Sequence, residues 1–459
     1  MNTPIVEDTP AAQVVTALAT RVRKRFDGLL AAGDIERVVL GYSGGLDSTV
    51  LLHLLADYLH ATPVRCQAWH IDHALQTDSA RWAKHCAHTA TQLGVEFHSV
   101  RLTTAPPAGA SVEDWARQQR YALLLAQLDA RSVLVTAHHQ DDQAETVLLQ
   151  ALRGAGPHGL AGIRARGSYA DKRVVRPLLM ERRADLLAYG RAQGLAWIDD
   201  PSNSEQRFAR NRLRSTLMPL LEREFPGAHG ALARVAALQA EVVEVLDALA
   251  DQFVHDGQTL ALTHLRGSAP ALRAFIIKRW LARAGAPVPG RTQLDHMLHD
   301  MLEARTDGMP MVAWRGVAVR RYDDQFFLTA ACLPRPAPGA QPCTLPWTTL
   351  HLPHGRLSAS STRAQGAALA TLTRAELTLR YRCGGERLRL YGGGPRRTLK
   401  NLFQHWRVPP WQRDGWPLLF VGEQLAVVPG QAVAAEFQVA GDTTGLSFDW
   451  QPQGFPPVD

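Results

Sequence analysis

The sequence predicts an α/β protein: a parallel-sheet domain first, then a mainly helical middle domain, then a small α+β C-terminal domain. Three observations predict it. Between residues 37 and 153, short Val-rich runs alternate with helix-length amphipathic stretches, the pattern of a parallel sheet with helices on both faces. Residues 231–253, ALARVAALQAEVVEVLDALADQF, carry apolar side chains at helical spacing. Six prolines then fall between residues 334 and 353, a linker composition. The boundaries read as 1–225, 226–333, a Pro-rich linker at 334–353, and 354–459.

In order, RVVLGYS (37–43) is a buried strand, and DSTVLLHLLADYL (47–59) is the helix it feeds. PVRCQAWHI (63–71) is a strand, SARWAKHCAHTATQL (79–93) a helix, and VEFHSVRL (95–102) a strand. SVEDWARQQRYALLLAQL (111–128) is a helix opened by Ser111, with Glu113 and Asp114 complementing its dipole. SVLVTA (132–137) and DDQAETVLLQALR (141–153) close the series as strand and helix. The last domain holds strand candidates LTLRYR (377–382), RLRLY (387–391) and LLFV (418–421). Ligands of such parallel sheets bind at the carboxyl ends of the strands.

Composition narrows the class. The 459 residues carry a net charge of +7, and the basic side chains are almost all Arg. Lys occurs only at Lys24, Lys84, Lys172, Lys278 and Lys400. Arg suits bidentate phosphate contacts, although genomic base composition enriches it too. Cys66, Cys86, Cys332, Cys343 and Cys383 are scattered without a CxxC, which speaks against a zinc ribbon, an iron–sulfur cluster or a disulfide framework. No apolar run approaches the roughly 20 residues that span a bilayer, so the chain is expected in the cytoplasm, away from membranes.

The strongest chemical signal is SGGLDS, residues 43–48, between a strand and a helix. Gly44 and Gly45 allow a sharp turn and close approach of a ligand. The unpaired N–H groups that open the helix, from Gly45 and Leu46 onward, make an anion site. Ser43 and Ser48 add hydroxyls. Asp47 repels phosphate directly, so it suits a carboxylate that holds Mg²⁺, which in turn bridges phosphates. No Lys is present, so this is not a Walker loop.

The loop resembles the SGGxDS signature of the PP-loop ATP pyrophosphatase superfamily, which cleaves between the α- and β-phosphates. Four further strings refine the resemblance: HIDHAL (70–75), WARQQRY (115–121), HHQDDQAETVLLQALRGAGPHGL (138–160) and DDPSNSEQRFARNRLR (199–214). In this order they resemble the tRNA(Ile)-lysidine synthetases. The likeness is strong over the first 225 residues or so and continues more weakly through residues 384–413. Ala74 stands where the family usually has Gly. The resemblance implies a ligase that adenylates the wobble cytidine of a tRNA(Ile) anticodon, releases pyrophosphate, and exchanges AMP for free L-lysine.

The resemblance also implies site roles. His70 would lie by the adenine or a cation, and Arg117 near the triphosphate. Asp142 and Glu145, three apart on one helix face, would recognise lysine; on spacing alone, Asp141 and Asp142 equally suit the helix dipole. From its position alone, three residues before Asp142, His139 is a candidate base for the lysine amine. Arg210, Asn211 and Arg214 would contact ATP or the RNA backbone, while Arg120, Arg207 and Arg212 read as solvated. His70, Asp72 and His73 resemble a metal trio by type, but one intervening residue is tight for zinc.

Between residues 374 and 413, ten Arg and Lys side chains stand against Glu376 and Glu386 alone, outweighing the net charge of the whole chain. Tyr381, Tyr391, Phe403, Trp406 and Trp411 are interleaved. Arg396, Arg397 and Lys400 are therefore candidate RNA contacts, although most of the aromatics also suit a small β-rich core. Competing readings are a tRNA 2-thiolase with the same ATP chemistry and a non-catalytic RNA-binding relic. The sequence leaves a homodimer open.

Overall fold

The computed structural model describes residues 10–30, 34–72, 79–102, 104, 106–107, 112–169, 171–199, 209–255, 257–305, 308–336, 339–345, 347–373 and 376–455. Expectations placed on His73, Ala74, Ser111, Arg207 and Arg374, and on the side chains of Glu113 and Asp114, lie outside them. The chain divides into two compact units, Met1–Val245 and Leu246–Asp459.

The first unit runs α1 (Pro10–Leu30), β1 (Arg37–Gly41), α2 (Leu46–Leu59), β2 (Arg65–Asp72), α3 (Ser79–Gln92), β3 (Glu96–Arg101), α4 (Val112–Ala126), β4 (Ser132–Val135), α5 (Gln140–Leu152) and α6 (Pro157–Leu160). It continues through β5 (Arg166–Tyr169), β6 (Lys172–Val175), α7 (Arg183–Ala192), α8 (Ala209–Arg212), a π-helical turn at Leu213–Leu217, α9 (Met218–Glu224) and the start of α10 (Ala228–Asp251). The sheet order is β3-β2-β1-β4-β6-β5, parallel except for β5. Alternation along the strands divides the core between two faces. Val38, Leu40, Val133 and Val135 join Leu18, Val22 and Phe26 of α1 and Leu51 and Leu55 of α2. Val39, Leu134 and Val174 meet Leu124 and Leu128 on the opposite face. The predicted strands and helices of residues 37–153 are all present, with ends within two or three residues.

The second unit opens with β7 (Thr259–Ala261), α11 (Leu262–Gly267), α12 (Pro270–Arg283), α13 (Arg291–Asp295), a π-helical stretch at His296–Met301, β8 (Met311–Trp314), β9 (Val317–Tyr322) and β10 (Gln325–Ala330). Its four-stranded antiparallel sheet, β7-β10-β9-β8, goes beyond the mainly helical expectation for this stretch. β9 and β10 are joined by Asp323 and Asp324, both at positive φ (46° and 61°), as a two-residue hairpin turn requires. Trp280, Phe326 and Met301 are fully buried in this core.

The remaining elements are β11 (Gln341–Pro342), β12 (Thr349–Leu352), β13 (Gly355–Arg363), β14 (Ala367–Ala368), α14 (Leu369–Leu372), β15 (Leu377–Arg380), β16 (Arg387–Arg389), β17 (Arg396–Thr398), α15 (Leu399–His405), α16 (Pro410–Arg413), β18 (Leu418–Val421), β19 (Gln424–Val428), β20 (Ala432–Val433) and β21 (Thr444–Pro452). They form sheets β11-β15-β18-β19-β20 and β12-β13-β21-β14, and the β16–β17 hairpin. Phe403 and Tyr381 are buried in this core, whereas Tyr391, in the hairpin connection, is 59 % exposed.

Candidate active site

The sheet order reverses between β1 and β4. These strands pair in parallel, Leu40 opposite Val135, so the loops that follow them leave the same edge side by side. A crevice at such a switch point is where ligands of open α/β sheets bind. Residues 42–48 follow β1, and residues 136–139 follow β4.

The first loop can be built only from glycine at its tip. Gly44 has φ +82°. A Cβ there would sit 2.7 Å from Cys86 Sγ and 2.9 Å from Ile198 Cδ1. Its carbonyl accepts the Ile198 amide at 2.9 Å and the Thr49 hydroxyl at 3.3 Å. Ser48 Oγ donates to the Gly45 carbonyl at 3.0 Å and lies 3.1 Å from Ser43 Oγ. Gly45 caps α2 without a side-chain acceptor, so the amides of the first turn face the loop as anion donors. Leu46 lends its backbone, its side chain being buried. His70 lies beneath the loop: Nδ1 is 3.1 Å from the Tyr42 carbonyl and 3.6 Å from Cys86 Sγ. Burial pushes that ring below its ordinary pKa, so it stays neutral.

Asp47 projects from the first turn of α2. Its Oδ2 is 3.5 Å from His139 Nε2 and its Oδ1 is 3.6 Å from Arg183 Nε. Both Asp47 Oδ1 and Arg183 Nε are buried atoms without a hydrogen bond.

His139 is 1 % exposed and caps α5. Its Nδ1 accepts the Asp142 amide at 3.4 Å, and Asp142 Oδ2 accepts the His139 amide at 3.1 Å. Nε2 lies 3.4 Å from Asp142 Oδ2. Burial alone pushes the ring pKa down, but Asp142, Asp47 and Asp141 outweigh it, and the net shift is upward. The cap needs a bare Nδ1 while the carboxylates favour a second proton. At 3.4 Å the cap bond is weak, so the carboxylates decide the direction. The neighbouring His138 behaves oppositely. Burial, with the guanidinia of Arg117, Arg176 and Arg210 outweighing Asp142, lowers it to about 3.

One turn along α5, Glu145 is 1 % exposed. Arg210 Nε donates to its Oε2 at 2.8 Å and Arg214 Nε to its Oε1 at 2.7 Å. The same arginines reach Asp142 Oδ1 at 3.4 and 3.2 Å. Burial works against charge at Asp142, but His139, Arg210, His138 and Arg214 hold its carboxyl well below the usual range. Two carboxylates and two guanidinia thus form one cluster offering both signs of charge.

The structure therefore gathers Ser43, Gly44, Gly45, Leu46, Asp47, Ser48 and His139 at the β1/β4 crevice, with Asp142, Glu145, Arg210 and Arg214 alongside. Asn211 lies on the same short helix as Arg210. Arg117 sits over the Tyr121 ring at 5.3 Å. Arg396, Arg397 and Lys400 lie in the second unit, on β17 and α15. Sequence reasoning missed Arg183 and the tie that holds it, Asp141 Oδ1 accepting the Arg183 amide at 3.1 Å. A signal existed: Arg182 and Arg183 open α7, where cations oppose the helix dipole.

Family comparisons agree along the chain. Residues 18–221 match a PP-loop domain, residues 260–327 a TilS substrate binding domain, and residues 377–450 a TilS substrate C-terminal domain. The tRNA(Ile)-lysidine synthase of Coxiella burnetii is 34 % identical over 421 residues, covering 90 % of this chain and 93 % of that one. Those of Alkalilimnicola ehrlichii and Ralstonia nicotianae are 37 % and 38 % identical, covering 89 % and 87 % of this chain and 93 % and 90 % of theirs.

Proposed function

The chain belongs to the tRNA(Ile)-lysidine synthase family, and from that premise we propose that it ligates free lysine to C2 of the wobble cytidine of a tRNA(Ile) anticodon, using ATP and changing the codon and amino-acid specificity of that tRNA. One observation carries the reading. His139 Nε2 lies 3.5 Å from the carboxylate of the phosphate loop and 3.4 Å from that of the two-sign cluster, so nucleotide and amino-acid halves meet on one ring.

In the first step the cytidine O2 attacks the α-phosphorus, and the bond to the departing pyrophosphate breaks. The amides of α2 and the Ser43 and Ser48 hydroxyls receive the phosphates. The unsatisfied Asp47 Oδ1 would suit a Mg²⁺ ion beside the nucleotide phosphates. When bound, that ion offsets charge on the leaving group. His70 and Arg117 bound the nucleotide side. In the second step the lysine ε-amine attacks C2 and AMP departs.

Free lysine carries both charges on its backbone. Asp142 and Glu145 suit its ammonium, and Arg210 and Arg214 suit its carboxylate. Asn211 extends this edge toward ATP or RNA. At pH 7 only about 0.04 % of a free ε-amine is deprotonated, so a proton acceptor is needed, and His139, enriched in proton affinity by its carboxylates, takes that role. The thiolase alternative is not favoured, since burial pushes both Cys66 and Cys86 up to about 12, far from the thiolate that sulfur chemistry requires.

The β16–β17 hairpin supports RNA contact. Arg396, Arg397 and Tyr391 are exposed there and Lys400 is exposed at the start of the following α15, pairing cations for phosphate with a ring for a base. No helix among the described residues is long and apolar enough to cross a membrane; we place the reaction in the cytoplasm. We draw the domain boundaries of this enzyme at residues 225, 333 and 353. The decisive experiment incubates the enzyme with ATP, isotopically labelled lysine and a tRNA(Ile) transcript. Mass analysis should show labelled lysine on one cytidine, with pyrophosphate and AMP released in equal amounts. ADP with orthophosphate, or an unlabelled cytidine, rejects the proposal.

A further inference from the structure

The first unit holds a second basic cavity that none of the loop residues 43–48 lines. It lies between α1 and the segments around residues 165 and 176, and measures about 410 Å³. Its lining includes Arg21, Lys24, Arg25, Arg166 and Arg176, and no carboxylate among the described residues. Leu18, Val22 and Phe26 turn the apolar face of α1 inward, which leaves Arg21, Lys24 and Arg25 at i, i+3 and i+4 on the cavity side. Like charges at that spacing repel, so the arrangement needs an anion.

Glu181 answers only part of that need. Its carboxylate takes Arg21 Nη2 and Arg25 Nη1, both at 2.6 Å, and Asp185 lies 3.8 Å from Arg21 Nη2, but neither acid is paired with Lys24, Arg166 or Arg176. Lys24 is exposed, and Arg166 spends one nitrogen on the Gly28 carbonyl at 2.9 Å. Arg176 is the informative residue. It is only 3 % exposed, yet no carboxylate is paired with it among the described residues: its guanidinium bonds the Arg164 carbonyl at 2.8 Å and the Tyr121 hydroxyl at 3.3 Å and lies 6.0 Å from the centre of the Tyr169 ring. Its Nε is buried without any partner. A buried cation lacking an anion is costly, and the cost is recovered when a ligand brings the charge. The planar fork of Arg and the space available match the oxygens of a phosphate group.

We infer that the cavity bounded by α1, Arg166 and Arg176 is a phosphate-binding site separate from the ATP loop, taking a phosphodiester of the RNA backbone or a free phosphate ion. The inference stands on the cavity and needs no turnover, so its failure is separable from failure of the ligase reading. Glu181 also accepts the Gln140 amide through its backbone carbonyl at 2.8 Å, which ties the residue that holds Arg21 and Arg25 to the first residue of α5.

The test uses the full chain and two variants. Lys24→Ala/Arg166→Ala removes the exposed cations without touching the core. Arg176→Gln removes the buried charge and keeps hydrogen-bond donors. A tRNA(Ile) transcript and inorganic phosphate are the probes, with binding followed across a salt series. If the source is RNA, the double variant loses about tenfold in tRNA affinity, and the slope of log K against log salt falls by about one to two. If the source is a free ion, phosphate binds the wild type and neither variant, while tRNA affinity is unchanged. Arg176→Gln should keep or raise the melting temperature while losing phosphate-dependent binding. Unchanged binding of both probes in both variants overturns the inference. So does an Arg176→Gln protein that melts earlier yet binds as the wild type does, since that is how a purely structural guanidinium behaves.

Discussion

Replacing Glu145 with Gln keeps the shape of the side chain and removes its charge. The two bonds it accepts, from Arg210 Nε at 2.8 Å and Arg214 Nε at 2.7 Å, are then charge-assisted from one side only. Each contact is worth about 6 kcal/mol in gross Coulomb terms at an effective dielectric of about 20, most of it offset by desolvation. Removing one partner of a buried pair costs about 3–5 kcal/mol. Two features lower that figure here. The Arg214 side chain is 38 % exposed, so solvent screens its share. Asp142 also remains within 3.2–3.4 Å of both guanidinia. The expected loss is about 2–3 kcal/mol. Urea unfolding followed by intrinsic tryptophan fluorescence measures it, and a double-mutant cycle with Arg210→Gln isolates the coupling. The same variant should raise KM for lysine at least tenfold with little change for ATP. A loss under about 0.5 kcal/mol with no coupling to Arg210 would refute the reasoning, as would equal damage to lysine and ATP use.

Asp47→Ala should abolish pyrophosphate release from ATP while tRNA binding persists; normal release would remove Asp47 from the chemistry. Gly44→Ala should destabilise the fold by about 1–2 kcal/mol from its positive φ alone and cost more through Cys86 and Ile198, with ATP affinity falling at least tenfold; near-normal nucleotide binding would show that the loop is not held as described. His139 should titrate above the ordinary 6.5, visible by NMR of the ring. Because its folded pKa is raised, its stabilising contribution is complete below about pH 6.5 and is lost as pH rises through the folded value; the lysine step should accelerate over that same rise, and a pH-independent step would discard His139 as the proton acceptor. Charge reversal at Arg396, Arg397 and Lys400 should weaken tRNA binding and flatten its salt dependence by about two to three, whereas unchanged binding would make that charge incidental.

Much of the site was legible because its chemistry is local. SGGLDS states its own turn, and the Asp142/Glu145 spacing fixes a shared helix face. Strand and helix positions over residues 37–153 followed from Val-rich runs alternating with helix-length amphipathic stretches. What escaped depends on tertiary contact. Arg183 reaches Asp47 only because α7 begins beside α5, and nothing within residues 182–192 encodes that distance. Nothing near Arg210 and Arg214 in the sequence announces that they pair with Asp142 and Glu145, more than sixty positions back along the chain. The sheet of residues 259–330 had a readable signal: VAVRRY and QFFLTA flank Asp323-Asp324, a hairpin pattern overlooked beside stronger helical periodicity.

The pairing of Leu40 with Val135 has a bearing on how such enzymes diversify. The loop we assign to the nucleotide is encoded after one strand, and the cluster we assign to the incoming amine after its neighbour, nearly a hundred residues later. Substitutions that retune the nucleophile can accumulate beyond β4 without disturbing the turn beyond β1. A single scaffold can thereby keep one way of spending ATP while exchanging the molecule that is activated and the group that attacks it.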